Sequence, residues 1–166
     1  MKKLICIALI VACLLSLSSC IFVPAYHYED LEVILEEKEY EISDLDENLR
    51  EGVVRAIHAV NYDTGDEIYY IYCEKFGSAK SIYDYINSKQ KAEIAEIKMK
   101  IEEVEYMLYK AEGVSAAEKG DYYEEYVKLD EELKAVEKYG CGRGFNVVWY
   151  GTKQAIMDLR LGGQSK

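Results

Sequence analysis

The sequence predicts an α+β domain in which a small mixed or antiparallel sheet carries an inserted antiparallel helical hairpin. Two observations lead to this prediction. Residues 53–62 and 67–76 are rich in β-branched and aromatic side chains, as strands are. Residues 94–136 instead place apolar side chains three and four positions apart, which indicates helices. Among several layouts that fit, we favour a ferredoxin-like split sheet.

The N-terminal part of the domain predicts a short helix followed by three strands. Apolar residues within 31–35 have the spacing of a brief amphipathic helix, and Tyr40-Glu41-Ile42 alternates like a first strand. The next two strands flank Asp63-Thr64-Gly65-Asp66. They are therefore expected to form a β-hairpin around a glycine-containing turn.

Two strand-to-helix junctions share a local pattern. Phe76-Gly77-Ser78 matches Tyr150-Gly151-Thr152 in residue type and order. In each triplet the glycine permits a turn, and the hydroxyl can accept a hydrogen bond from the first N–H groups of a helix. The pattern predicts a βα unit at each end of the domain.

Between these units, residues 89–139 predict a helical hairpin. The apolar positions of its two arms follow a heptad spacing, as on the facing seams of a coiled coil. These positions are Ile94, Ile97, Ile101, Val104 and Leu108 in the first arm, and Tyr122, Tyr126, Leu129, Leu133 and Val136 in the second. Two seams of similar length joined by a short turn predict an antiparallel pair, which either projects or packs on the sheet.

Local signals mark the ends of the predicted arms. Gly113 follows the first arm, where a C-terminal glycine is common, and Gly140 follows the second. Ser115 with Glu118, and Asp121 with Glu124, each match a capping box. The second arm therefore has two candidate starting points.

Three acidic residues near the predicted hairpin turn are candidates for a catalytic or a calcium-binding site. Asp63-Thr64-Gly65 matches the short signature of aspartic proteases, but Asn61-Tyr62 before it is turn composition rather than an apolar strand. Asp63, Asp66 and Glu67 could hold calcium weakly, yet they lack the ligand spacing of an EF-hand loop. We interpret them as solvated turn carboxylates.

The segment Gly140-Cys141-Gly142-Arg143-Gly144 has the glycine content of a phosphate-binding loop. Such loops open a helix, whose N–H groups converge on the anion. This segment opens a predicted strand instead, so we interpret it as a flexible connector between helix and strand.

Histidine and cysteine offer few catalytic combinations. His27 lies before the domain, and His58 alternates with apolar residues in a predicted strand, where a partly buried structural role is the default. Cys73 or Cys141 with His58 would be the only nucleophile pair, and the two cysteines are either bridged or free. The sequence contains no Gly-x-Ser-x-Gly, His-Glu-x-x-His or paired Cys-x-x-Cys motif. We predict no enzyme, metal site or cofactor.

Composition narrows the classes of partner. The net charge of −11 opposes binding to nucleic acid and to anionic lipid. Sixteen tyrosines against one tryptophan and three phenylalanines is unusual. Tyrosine is enriched at recognition surfaces because it combines rigid area with a polar tip, but it also fills half-buried strands and helix faces.

The N-terminus has the pattern of a secretory signal peptide. Lys2-Lys3 precedes an apolar run over residues 4–15, and Leu17-Ser18-Ser19-Cys20 follows. This ending resembles the lipobox of bacterial lipoproteins, small proteins often of unassigned function. The resemblance implies that the thiol of Cys20 receives a diacylglycerol, while palmitate-type acyl chains hold the mature protein at a membrane. An uncleaved anchor, or ordinary cleavage leaving a free thiol, are the alternatives.

These observations divide the chain into a signal peptide (1–19), a tether (20–28) and one α+β domain (29–166) carrying the hairpin 89–139. Because Ile21 follows Cys20, the resemblance implies the outer leaflet of a Gram-positive membrane or an outer membrane. We expect an extracytoplasmic, lipid-anchored, non-catalytic protein that binds a protein or envelope partner through the hairpin. The alternative is a small-molecule or metal-binding module of an envelope system.

Overall fold

The computed structural model describes residues 28–45 and 49–162. The predicted signal peptide, the lipidation site Cys20 and His27 lie outside these residues. The described elements are, in chain order, α1 (Tyr28–Glu37), β1 (Glu41–Asp44), β2 (Val53–Asn61), β3 (Asp66–Cys73), α2 (Phe76–Tyr109), α3 (Ala116–Glu137), β4 (Tyr139–Gly144), β5 (Val147–Thr152) and α4 (Lys153–Gly162).

The strands form one antiparallel sheet in the order β1-β2-β3-β5-β4, which confirms the predicted α+β class. Strands β3 and β4 are joined through the helical hairpin, and β5 lies between them. Two parallel strands that are joined through helices and have a third strand between them are the split βαβ unit of the predicted ferredoxin-like layout. On the other side of β3 lies β2, which precedes it in the chain, whereas a ferredoxin-like sheet places its last strand there. The observed and the predicted layouts therefore both contain the split unit, and they differ in which strand lies on the other side of β3.

The main core lies between the sheet and the pair α1 and α4. Leu31 and Leu35 of α1 and Leu159 of α4 are almost completely buried there, against Ile57 and Tyr70 of the sheet. The helical spacing within α1 directs its apolar side chains to this single face. Both terminal helices of the described chain are thus on the same side of the sheet.

The opposite face of the sheet is covered in part by the first turns of α2. Ala79 and Ile82 pack on Cys73 and Val148. The helix then continues without interruption to Tyr109, so that the predicted junction helix and the first hairpin arm form one helix of 34 residues. No glycine or proline occurs between the two segments to break it. Within the described chain, no helix has the length and apolar character needed to span a membrane.

Beyond the sheet, α2 and α3 form the predicted antiparallel hairpin. Their seam side chains form a cluster of their own, without any sheet residue, and it contains every predicted seam position except Ile94. Ser115 caps α3: its Oγ accepts a hydrogen bond from the Glu118 N–H, and the Glu118 carboxylate accepts from the Ser115 N–H. The part of the hairpin beyond residue 90 therefore packs on itself, and at 1.5 Å per residue it extends about 30 Å.

The two matching triplets occupy different elements. Thr152 ends β5, and its hydroxyl accepts a hydrogen bond from the Ala155 N–H at the start of α4, as predicted. Phe76, Gly77 and Ser78 are instead the first residues of α2, whose N-cap residue makes no side-chain capping bond. The shared pattern is therefore not a structural repeat.

The prediction of a flexible connector at residues 140–144 is wrong, because these residues form the edge strand β4. A Cβ on Gly142 would lie 2.4 Å from Nε1 of Trp149. The indole ring thus packs directly on the backbone of β4 at Gly142, where any side chain would overlap it. Here glycine indicates close packing of a side chain on a strand rather than flexibility.

Candidate binding cleft

An aromatic row crosses the sheet on the face that α2 covers only in part. His58 on β2 is paired with Tyr69 on β3, and Tyr69 is paired with Tyr150 on β5. Because cross-strand partners project from the same face, the three rings stand side by side. Tyr139 on β4 extends this row, which we call the aromatic row and define by these four residues.

The rings of the aromatic row are in mutual contact. The His58 and Tyr69 rings are stacked, with centroids 4.1 Å apart and an interplanar angle of 9°. The Tyr139 and Tyr150 rings are stacked at 5.3 Å, whereas the Tyr69 and Tyr150 rings are 6.3 Å apart and inclined by 33°. Such contacts restrict the rotamers of the four side chains and hold the row rigid.

Glu67 lies at the centre of a hydrogen-bonded group beside the row. His58 Nε2 is 2.6 Å from its Oε2, and the Tyr139 hydroxyl donates to its Oε1 over 2.5 Å. The bond from Tyr139 lowers the pKa of Glu67, burial opposes this effect, and the bond from His58 adds to it. The same carboxylate, together with burial, raises the pKa of Tyr139 to about 12.

A cleft opens between this group and α2. Its volume is about 420 Å³, and it is lined by Glu67, Tyr69, Ile71, Ile86, Tyr139 and Tyr150. A groove of about 200 Å³ continues it along the helix, lined by Tyr85, Ile86, Lys89, Gln90, Glu93 and Tyr150. The Gln90 amide donates to the backbone oxygen of Tyr139 over 3.0 Å, which fixes the base of the hairpin against β4. The cleft and the groove share Ile86 and Tyr150 in their linings and thus adjoin each other between helix and sheet.

The prediction of solvated turn carboxylates holds only in part: Asp63 is exposed, whereas Glu67 is partly buried and hydrogen-bonded. The turn itself is confirmed: Gly65 has φ of 69°, and Asn61 Oδ1 accepts hydrogen bonds from the N–H groups of Asp63 and Thr64. Asp66, however, is only 6% exposed and is not a solvated turn carboxylate. Burial alone would raise the pKa of Asp66, but hydrogen bonds from threonine hydroxyls and the charge of Lys138 lower it.

Cys73 and Cys141, the cysteines among the residues that the structure describes, are free thiols, the first buried and the second partly so. Their strands β3 and β4 have β5 between them, so the two cysteines lie at least two strand spacings, about 10 Å, apart. The register adds a further offset along the strands, since Cys141 is aligned through Tyr150 with Tyr69 rather than with Cys73. A disulfide requires Cα atoms within about 7 Å. Burial raises the pKa of both thiols. His58 contacts Glu67 rather than a thiol, so the only nucleophile pair considered from the sequence is not assembled.

Sequence reasoning missed the partner of His58. Glu67 is diagonal to it across the β2–β3 ladder, two positions along from Tyr69, the residue directly opposite, and therefore on the same face. Such a contact depends on the register of the hairpin, which the turn residues constrain. Among the residues that the structure describes, no group of three or more histidine, cysteine, aspartate or glutamate side chains is arranged to hold a metal ion.

Replacing Tyr139 by phenylalanine is expected to lower the free energy of unfolding at neutral pH by about 1 kcal/mol, since a hydrogen bond to a partly exposed carboxylate is lost. The contribution should be present above the ordinary Glu67 pKa of 4.5 and disappear as pH falls through the lowered pKa. It should also be present below pH 10 and disappear toward pH 12, where Tyr139 ionises.

Urea unfolding of the purified chain across this pH range measures both effects. The exposed Tyr123 on α3 offers the matched control, Tyr123→Phe, which should change stability very little at any pH. A difference between wild type and Tyr139→Phe that keeps the same size in acid would show that the hydrogen bond does not couple to the ionisation of Glu67.

Comparisons of this chain with protein-family models, with curated proteins and with solved structures give no significant match. The cleft is therefore interpreted from its own geometry and chemistry.

Proposed function

We propose that this protein is a lipoprotein of the bacterial cell envelope, anchored through acyl chains on Cys20, that binds a protein or envelope partner without catalysing a reaction. Support for the anchor comes from Leu17-Ser18-Ser19-Cys20 and the signal-type segment before it. Support for binding comes from the cleft and the aromatic row, and this arrangement is the observation that carries the proposal.

The aromatic row supports binding because its side chains are already ordered. Tyr69, Tyr139 and Tyr150 contact one another or a neighbouring ring, so a ligand would immobilise few additional torsions. Binding loses less entropy at such a surface than at one built from flexible side chains. Rigid aromatic area with a polar tip is also the composition of recognition surfaces.

The hairpin supports a protein partner. Its seam is filled by its own apolar side chains, while Tyr106, Tyr109 and Tyr123 near the tip are each more than half exposed. These rings contribute little to the packing of α2 on α3. Exposed aromatic residues on a projecting element are a common feature of interaction sites.

The chemistry of the cleft favours binding over catalysis. Both oxygens of Glu67 accept hydrogen bonds within the protein, so this carboxylate is occupied in the arrangement described. The raised pKa values of Cys73 and Cys141 keep both thiols protonated at neutral pH, which makes them poor nucleophiles.

A small-molecule binding module of an envelope system is the second candidate. The specific observation in its favour is the volume of the cleft, about 420 Å³, which lies within the range of small-molecule sites. Apolar side chains of Ile71 and Ile86 in its lining, with a few convergent polar groups, also match such sites.

Site-specific photo-crosslinking in the native membrane tests the proposal. A photoreactive phenylalanine analogue would replace Tyr109 at the hairpin tip, Tyr85 in the groove or, as a control, Met157 on α4 at the opposite layer. All three positions are at least two-fifths exposed. We expect one specific adduct from Tyr109, from Tyr85 or from both, and none from Met157.

The pattern of adducts distinguishes the alternatives. An adduct from Tyr109 alone would assign the partner to the hairpin, and an adduct from Tyr85 would assign it to the cleft. The absence of a specific adduct at both positions, or the same products from Met157, would contradict a protein partner and favour the small-molecule function.

A further inference from the structure

The cleft is lined mainly by aromatic and aliphatic side chains, with one carboxylate among them. Of its six described lining residues, Glu67 is the only one charged at neutral pH. The adjoining groove adds Glu93 and Lys89. The Lys89 ammonium lies over the Tyr85 ring, 5.3 Å from its centroid, and is thus already engaged by an aromatic face.

Several other cationic groups lie near the cleft, and Lys138 and His58 have partners of their own. Lys138 Nζ is 3.6 Å from a carboxylate oxygen of Asp66 and donates to the backbone oxygen of Gly65. His58 is bonded to Glu67. The charge of Lys91, from α2, lowers the pKa of the Cys141 thiol against the effect of burial. The Arg50 guanidinium lies over the Tyr85 ring, 5.8 Å from its centroid.

Two carboxylates act on Tyr150. After burial, the charges of Glu93 and Glu67 are the main causes that raise the pKa of this tyrosine, and none of its causes acts in the opposite direction. Tyr150 lines the cleft together with Glu67 and the groove together with Glu93. A positive charge at this point would be stabilised by both.

The chemistry of the lining determines which kind of cation fits. Aromatic rings attract an ammonium group through their quadrupole, and the contact of Lys89 with Tyr85 is an example within the same groove. Alkyl groups on the nitrogen would contact Ile71 and Ile86. An anion would be repelled by the two carboxylates, and a neutral ligand could donate hydrogen bonds to them but would lack the charge attraction that a cation gains.

From these contacts and charges we propose that the cleft binds a small organic cation of the alkylammonium class, with its nitrogen near Tyr150 and between Glu67 and Glu93. This inference rests on the proposed binding function and assigns a ligand class to its cleft.

Calorimetric titration of the full chain in detergent tests the assignment. The probes are choline and its uncharged isostere, in which a carbon atom replaces the nitrogen. We expect choline to bind about tenfold more tightly than the isostere, and only its binding should weaken as salt is added. Glu93→Gln, at an exposed position of α2, should remove most of that difference without disturbing the fold.

Glu103→Gln is the matched control, since Glu103 is exposed on the same helix but lies outside the cleft and the groove. Binding of choline should be unchanged in this variant. Equal affinities for choline and the isostere, or equal effects of the two substitutions, would overturn the cation assignment. So would the absence of binding by both probes. Crosslinking from Tyr109 tests the protein partner, whereas these titrations test the ligand class of the cleft. The two proposals can therefore fail independently.

Discussion

Replacing Gly151 by alanine should lower the free energy of unfolding by about 3 kcal/mol. A Cβ at this position would lie 2.4 Å from the carbonyl oxygen of Glu67 and 2.7 Å from the Cα of Ile68. Both are backbone atoms, so no rotamer change can relieve the overlap. The neighbouring strands β3 and β5 would have to separate at the centre of the sheet, next to the pair of Tyr69 and Tyr150.

Gly77→Ala is a control within the same sequence pattern, because Gly77 also lies between an aromatic residue and a hydroxyl residue. It belongs to α2, and a Cβ there would meet no atom within 4 Å. Alanine should therefore raise stability by about 0.5 kcal/mol through its better helix propensity. Urea unfolding of both variants measures the contrast, and equal effects at the two positions would contradict the packing described.

Replacing Cys20 by alanine should move the protein almost completely from the membrane to the soluble fraction of a bacterial host. The reason is that two acyl chains are needed for stable anchoring and that this substitution removes the attachment atom for both. Labelling with palmitate should mark the wild type and leave Cys20→Ala unlabelled. Fractionation followed by immunoblotting measures the distribution.

Cys141→Ala provides the matched control for this experiment. Cys141 is a free thiol within the domain, and its removal should affect neither the label nor the membrane fraction. Retention of Cys20→Ala in the membrane would contradict the lipoprotein proposal and indicate an uncleaved apolar anchor. Loss of label with both substitutions would indicate acylation that is not specific to Cys20.

The hairpin was the part of the fold most accessible to sequence reasoning. Its seam positions repeat every three and four residues, and this period alone directs them to one face of each helix. The choice between the two candidate caps was not accessible in the same way. Ser115 begins α3, whereas Asp121 and Glu124 lie within it. Both pairs satisfy the local pattern, and the structure uses the first.

The cleft was only partly predictable. The abundance of tyrosine indicated a recognition surface, but no local pattern showed that Tyr69, Tyr139 and Tyr150 share one face of the sheet. Tyr139 and Glu67 are far apart in the chain and are brought together by β5, which lies between their strands. The strand order that decides this contact is a property of the whole sheet.

The sequence by itself determined the helical hairpin, the β2–β3 turn and the α+β class, because periodicity, capping and turn formation depend on neighbours a few residues apart. Only the tertiary structure decided that Gly140–Gly144 is a strand beneath Trp149, that Asp66 is buried and that His58 contacts Glu67. These outcomes depend on which strands are adjacent and in what register. Residues distant in sequence set both, through the packing of helices on each face of the sheet.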